Sequence, residues 1–204
     1  VPFDRILVPH YRELIDGLLL HESLQLNVSN IELNDQLMDM LSDVLVGQLK
    51  SLTLHNNGFL FIEKAVEFIK DLTEKNAELT RFQWEQNPLS TSEFASLADV
   101  IIKSKVDRAG FVECCDEGED SADGYDILQR LLMADKKWNR LDLQGNRIQM
   151  LGRTCLSDYI STNKYIKAIN LKDNLLNDQD VRLIAEALRT NSTLRSIYLE
   201  SNDI

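Results

Sequence analysis

Six carboxylates fall within the eleven residues Asp116–Asp126, in the run Asp-Glu-Gly-Glu-Asp-Ser-Ala-Asp-Gly-Tyr-Asp. Oxygen donors at that density are what a calcium loop needs, but such a loop also needs its donors at set positions. With Asp123-Gly124 placed at the Asp-Gly centre of an EF-hand loop, Arg130 falls where a bidentate Glu is required, and the flanks do not read as a helix pair. The segment therefore reads as a solvated insertion, with a docking or weak cation-binding loop as the alternative. Cys114 and Cys115 are adjacent, so strand alternation sends their side chains apart, and neither a shared metal nor a mutual disulfide is expected. His10, His21 and His55 are isolated, with no second imidazole or Cys-x-x-Cys pair to build a metal centre. No glycine-rich phosphate loop, Gly-x-Ser-x-Gly elbow or His-Glu-x-x-His helix occurs. The expectation is a chain with no catalytic residue, no metal and no cofactor, and so not an enzyme.

Charge narrows the partners. Twenty-two Lys+Arg against 33 Asp+Glu give a net charge of −11, a field that repels nucleic-acid phosphate and anionic lipid. Neither nucleic acid nor a membrane is expected as a partner. No apolar run approaches the ~18 residues of a membrane span, and the N-terminal stretch carries Asp4 and Arg5 where a signal peptide is apolar. Three cysteines form an odd, sparse set, unlike a secreted disulfide scaffold, which predicts a reducing, cytoplasmic setting. With 44% apolar residues in 204, the chain has ample material for a core. A globule of this mass keeps about 9,700 Å² of the roughly 34,000 Å² that its unfolded chain exposes.

The elements that would position any site emerge from self-similarity. The template Leu-x-x-Leu-x-Leu-x-x-Asn recurs at Leu49-Leu52-Leu54-Asn57, Leu79-Phe82-Trp84-Asn87, Trp138-Leu141-Leu143-Asn146, Ile166-Ile169-Leu171-Asn174 and Leu194-Ile197-Leu199-Asn202. Degenerate copies sit at Val106-Ala109-Phe111-Cys114 and at Leu24-Leu26-Ser29. Starting from His21, the copies are spaced 28, 30, 27, 32, 28 and 28 residues apart. Within each copy the apolar period is 2, as in a strand; between copies it becomes 3.6, as in Phe94-Leu97-Ala98-Ile101 and Val181-Ile184-Ala185-Leu188. Ser90-x-x-Glu93 is a capping-box helix start, and Asn76, Asn163 and Asn191 stand where a left-handed cap would end a helix. Residues 1–20 miss the template, but Tyr11, Leu14, Ile15, Leu18 and Leu19 share one helical face and predict an N-terminal cap over the array at 21–204. The seventh copy lacks its helix at Ile204, which predicts further repeats or another subunit there.

Over residues 21–204 the chain resembles the leucine-rich repeat family, and its repeat length is similar to the ribonuclease-inhibitor type, which includes tropomodulin-like and RanGAP-like members. The resemblance implies an α/β solenoid, a right-handed βα superhelix with a curved parallel sheet on its concave face and helices on its convex face. It also implies that Cys114 is a buried substitute for the ladder Asn. Family members bind proteins as scaffolds or inhibitors, regulate small GTPases or cap actin filaments. Binding a protein partner on the concave face is the function expected here, with the GTPase-regulating and actin-binding readings as alternatives.

Strand residues at positions three, five and seven of each copy then point away from the core and line up across strands about 4.8 Å apart. Position three runs Ser23, Ser51, Arg81, Arg108, Arg140, Ala168, Ser196, stacking three arginines on neighbouring strands. Like charges so placed repel unless something neutralises them. Either a partner does so, or Glu85, Glu113 and Asp142 already do. The residues assigned to partner binding are Arg81, Arg108, Arg140, Asp142, Trp84, His55, Lys172 and Tyr198.

Overall fold

A computed structural model describes residues 13, 16, 17, 20, 22–115 and 121–204. The helical cap expected over 1–20 lies, but for four positions, outside the described residues, as do His10 and His21. In chain order the elements are β1 (Leu24–Ser29), β2 (Glu32–Leu33), α1 (Asp35–Val44), β3 (Leu49–His55), β4 (Gly58–Phe59), α2 (Ile62–Lys75), β5 (Arg81–Glu85) and α3 (Thr91–Lys103). They continue with β6 (Arg108–Val112), α4 (Gly124–Met133), β7 (Arg140–Asp142), α5 (Cys155–Thr162), β8 (Ala168–Asn170), α6 (Asp178–Leu188) and β9 (Ser196–Tyr198). Each of the seven longer or later strands pairs in parallel with its successor, in the order β1-β3-β5-β6-β7-β8-β9. The sheet has two edges and does not close. One helix lies in each of the six connections, as parallel pairing demands; β2 and β4 form a separate two-stranded ribbon.

Alternation sorts the sheet into two faces. Leu52 and Leu54 of β3 are buried while Ser51, Thr53 and His55 stay half exposed, and Phe82, Trp84, Ala109, Phe111, Leu141 and Leu143 repeat the inward positions. These side chains merge with Phe68, Ile69 and Leu72 of α2 and with Phe94, Leu97, Ala98 and Ile101 of α3 into one core. Each such aliphatic or aromatic side chain contributes roughly 1.5–3 kcal/mol by leaving water. The stripe expected on the last helix is rotated. Ala185 is exposed, and the inward line is Asp180, Ile184 and Ala187. The Asp180 carboxylate tolerates this because it accepts a hydrogen bond from the Asn177 backbone N–H at 3.1 Å, closing a capping box.

The asparagine ladder joins consecutive repeats. The side-chain amides of Asn57, Asn87, Asn146, Asn174 and Asn202 donate to the carbonyls of Ile31, Leu54, Phe111, Leu143 and Leu171, each in the preceding repeat, at 2.6 to 3.3 Å. The Oδ1 atoms of Asn87, Asn146, Asn174 and Asn202 accept backbone N–H groups from that same repeat, those of Asn57, Cys114, Asn146 and Leu176. Cys114 fills the missing rung as a fully buried thiol, 3.5 Å from the Trp84 carbonyl.

Two expectations are corrected. The first repeat begins two residues later than the template suggested: Leu26 pairs with Leu52 and Gln25 with Ser51, so Ser23 is not in the arginine column and Ile31, not Ser29, holds the ladder position. Val28 is as good an inward residue as Leu26, so the degenerate pattern fitted either phase. The second correction concerns the helix ends. Asn76 and Asn163 take extended or intermediate conformations with negative φ, not left-handed ones, and Arg189, not Asn191, caps α6. They and Asn191 act through their side chains: their Oδ1 atoms accept the N–H groups of Leu49, Ile166 and Leu194.

Candidate functional site

Register decides which outward side chains meet. Ser51, Arg81, Arg108, Arg140, Ala168 and Ser196 are consecutive partners across the sheet, and so are Thr53, Gln83, Gly110, Asp142, Asn170 and Tyr198. The arginines thus occupy three adjacent strands, about 4.8 Å apart from one to the next. They surround a hollow of roughly 300 Å³ lined also by Ser51, Thr53, Gln83, Gly110 and Asp142. Gly110 is the floor. A Cβ on it would stand 2.8 Å from Gln83 Oε1, so the Gln83 amide lies flat across the glycine.

The charges are unevenly matched. Arg140 reaches Asp142 at 3.4 Å, and the other Asp142 oxygen accepts from the Asn170 amide at 2.8 Å. Arg108 has Asp107 beside it at 3.9 Å, a loose pairing. Arg81 has no ion pair or side-chain hydrogen bond among the described residues. Glu85 turns to His55 at 3.5 Å and accepts from Gln83, and Glu113 accepts from Gln86 at 2.8 Å. Of the three carboxylates that could have neutralised the column, only Asp142 reaches it.

The remaining assigned residues separate into groups. His55 is on the same face, four residues along β3 from Ser51, held against Glu85. Lys172 and Tyr198 lie toward the β9 edge, the ammonium 5.5 Å from the ring centre and 3.1 Å from Glu200. Trp84 is a correction. It faces the core, fully buried, stacked on Phe59 at 5.0 Å with its indole N–H donated to the Asn87 carbonyl, and offers a partner nothing. Its place in the template is an inward one, and a large aromatic there fills the space between sheet and helix.

Among the described residues no group of three His, Cys, Asp or Glu side chains is placed to hold a metal ion. The acidic run lies partly outside the described residues, but Asp123 is the N-cap of α4, its Oδ1 accepting from Tyr125 and Asp126. Burial, with the charges of Cys115, Glu113 and Glu85, pushes the Cys114 thiol far up, and burial with Asp123 pushes Cys115 up to about 12. Neither supplies a thiolate near neutral pH, the form a nucleophile requires. No helix among the described residues is long and apolar enough to cross a membrane.

A column of left-handed residues went unread in the sequence. Asn30, Asn56, Gln86, Glu113, Gly145, Asp173 and Ser201 all have positive φ, one at the same place after each strand. They turn the chain away from the open face into the ladder residue. Mixed residue types at one position hid the signal; Asn, Asp and Gly alone would have suggested it.

No protein-family model matches the chain, and no curated protein matches it either.

Proposed function

We propose that the chain is a leucine-rich repeat array of the ribonuclease-inhibitor type, wound as a right-handed solenoid, and that it works inside the cell as a non-catalytic module binding a protein partner on its concave face. The repeating asparagine ladder, the sequential parallel sheet and one helix per connection support the solenoid reading. The observation that carries the functional reading is the column Arg81, Arg108 and Arg140, in register on the open face with only Arg140 closely paired. Cations aligned on neighbouring strands repel one another, and an anionic group on a partner would relieve that repulsion. A broad, shallow surface suits a macromolecule; a small substrate needs a drier cleft.

The test is simultaneous reversal, Arg81→Glu, Arg108→Glu and Arg140→Glu. All three side chains are substantially solvated, so the melting temperature should stay within a few degrees while partner capture falls at least tenfold. A control reversing Lys64 and Lys70 on α2 should leave capture unchanged. Equal loss from both variants, or none from the first, rejects this face. Small-angle scattering checks the solenoid separately, since a curved array and a compact globule of equal mass differ in radius of gyration.

A further inference from the structure

We propose that the hollow over Gly110 seats the phosphoryl group of a phosphorylated residue on the partner polypeptide. This rests on the reading of the open face as a protein-binding surface and names what that face recognises.

The chemistry around the hollow is one-sided. Arg81 and Arg108 stand on adjacent strands, the first without a carboxylate partner among the described residues and the second with a loose one at 3.9 Å. Arg140 extends the column, while Asp142, the one carboxylate at the rim, has one oxygen facing Arg140 and the other accepting from Asn170. The anion of the site is thus already engaged and is turned toward its own strand and the next. Ser51 and Thr53, on the opposite rim, carry hydroxyls with no hydrogen-bond partner among the described residues. Two available guanidiniums and two hydroxyls line a space whose floor is the neutral Gln83 amide lying low across Gly110. Phosphoryl carries three acceptor oxygens and a charge of roughly −1.5 to −2 near neutral pH. Guanidinium binds such oxygens in a planar fork with two parallel hydrogen bonds, and two guanidiniums side by side use more of them than one carboxylate offers. Gly110 gives the tetrahedral group depth, because any larger residue would lift Gln83 into the space it needs. A free nucleic acid would present phosphates too, but the chain's net charge of −11 works against a long polyanion and tolerates a single dianionic group.

The experiment uses the whole chain and a synthetic random-sequence peptide library made in three matched forms, with Ser, phosphoserine or Glu at the central position. The phosphoserine form should be retained at least tenfold over both others on the native chain. Arg81→Gln with Arg108→Gln should remove that preference, and so should Gly110→Ala, which keeps every charge and fills the floor. Gly110→Ala meets the Gln83 side chain and no backbone atom nearby, so the fold is expected to survive once Gln83 turns aside, with circular dichroism as the check. Equal retention of the Glu and phosphoserine forms, still dependent on the arginines, overturns the phosphoryl assignment and leaves protein binding on this face standing. Phosphoserine preference that persists in Gly110→Ala and in the arginine pair places the site elsewhere and overturns it as well. Retention of no form in an arginine-dependent way rejects both readings.

Discussion

At the scale of single residues, two features are set by what stands nearby. Gly124 opens α4 with an ordinary φ, yet a Cβ there would clash with the Asn146 carbonyl oxygen, a backbone atom that cannot swing aside as a side chain does. Gly124→Ala should therefore destabilise the chain by about 3 kcal/mol, the upper range for overpacking, read as a lower urea midpoint. Gly47→Ala meets no neighbour and carries only the penalty of its positive φ, roughly 1–2 kcal/mol. The buried thiols give a second expectation. Folding raises the pKa of Cys114 and Cys115 from the ordinary 9.0, so the folded chain holds these protons when the unfolded chain has released them. Their contribution is constant below about pH 9 and destabilises progressively above it, by up to ~1.4 kcal/mol per pH unit for each fully shifted thiol. Urea midpoints at pH 8 and pH 10.5 should show the decline, and Ser at both positions should make it shallower, the remainder coming from Cys155, Tyr125 and Tyr159, whose pKa values burial also raises. A decline of the same slope in the double variant removes the thiols as its cause.

Helices and strands are held by local chemistry that the sequence states openly. Ser90 accepts the Glu93 N–H while the Glu93 carboxylate accepts the Ser90 N–H at 2.7 Å, so two donors of the first turn are satisfied by one pair. Ser90→Ala should cost about 1 kcal/mol, measured by thermal denaturation, and Ser90→Asp should recover most of it. The C-terminal ends are tied differently. Lys136 Nζ donates to the carbonyls of Ser104 and Ile101 at the end of α3, and Lys75 Nζ donates to Ser42 in α1. Cations there meet the negative end of the helix dipole. Such reach across one repeat is why the asparagines expected as left-handed caps are something else. Asn76 donates to both Leu45 and Leu72 and accepts from Leu49, joining two repeats where a cap would have served one helix.

For the whole molecule, connectivity sets how a local defect spreads. Strands of the large sheet pair only with their sequential neighbours, and consecutive helices pack on one another. Leu141→Ala, at a fully buried position in β7, should cost about 2–5 kcal/mol. Hydrogen exchange should then accelerate in β6, β7 and β8 much more than in β1 and β3, because stability in such an array is a sum of neighbouring terms. Uniform acceleration would indicate one cooperative unit instead. What the amino-acid sequence determined by itself is the repeat: alternation at Leu52 and Leu54, the asparagine every 28 residues from Asn146 onward, and the arginines in one column are local or periodic facts, and parallel pairing in register follows from them. Tertiary structure alone decided the phase of the first repeat, where Leu24, Leu26 and Val28 are interchangeable by pattern and pairing with β3 selects one register. It also decided that Glu85 and Glu113 turn away from the arginines, and that Gly110 lies beneath them. Periodicity reports on which face of a strand a residue sits; which neighbour a long charged side chain then chooses depends on atoms brought close from repeats some thirty residues away.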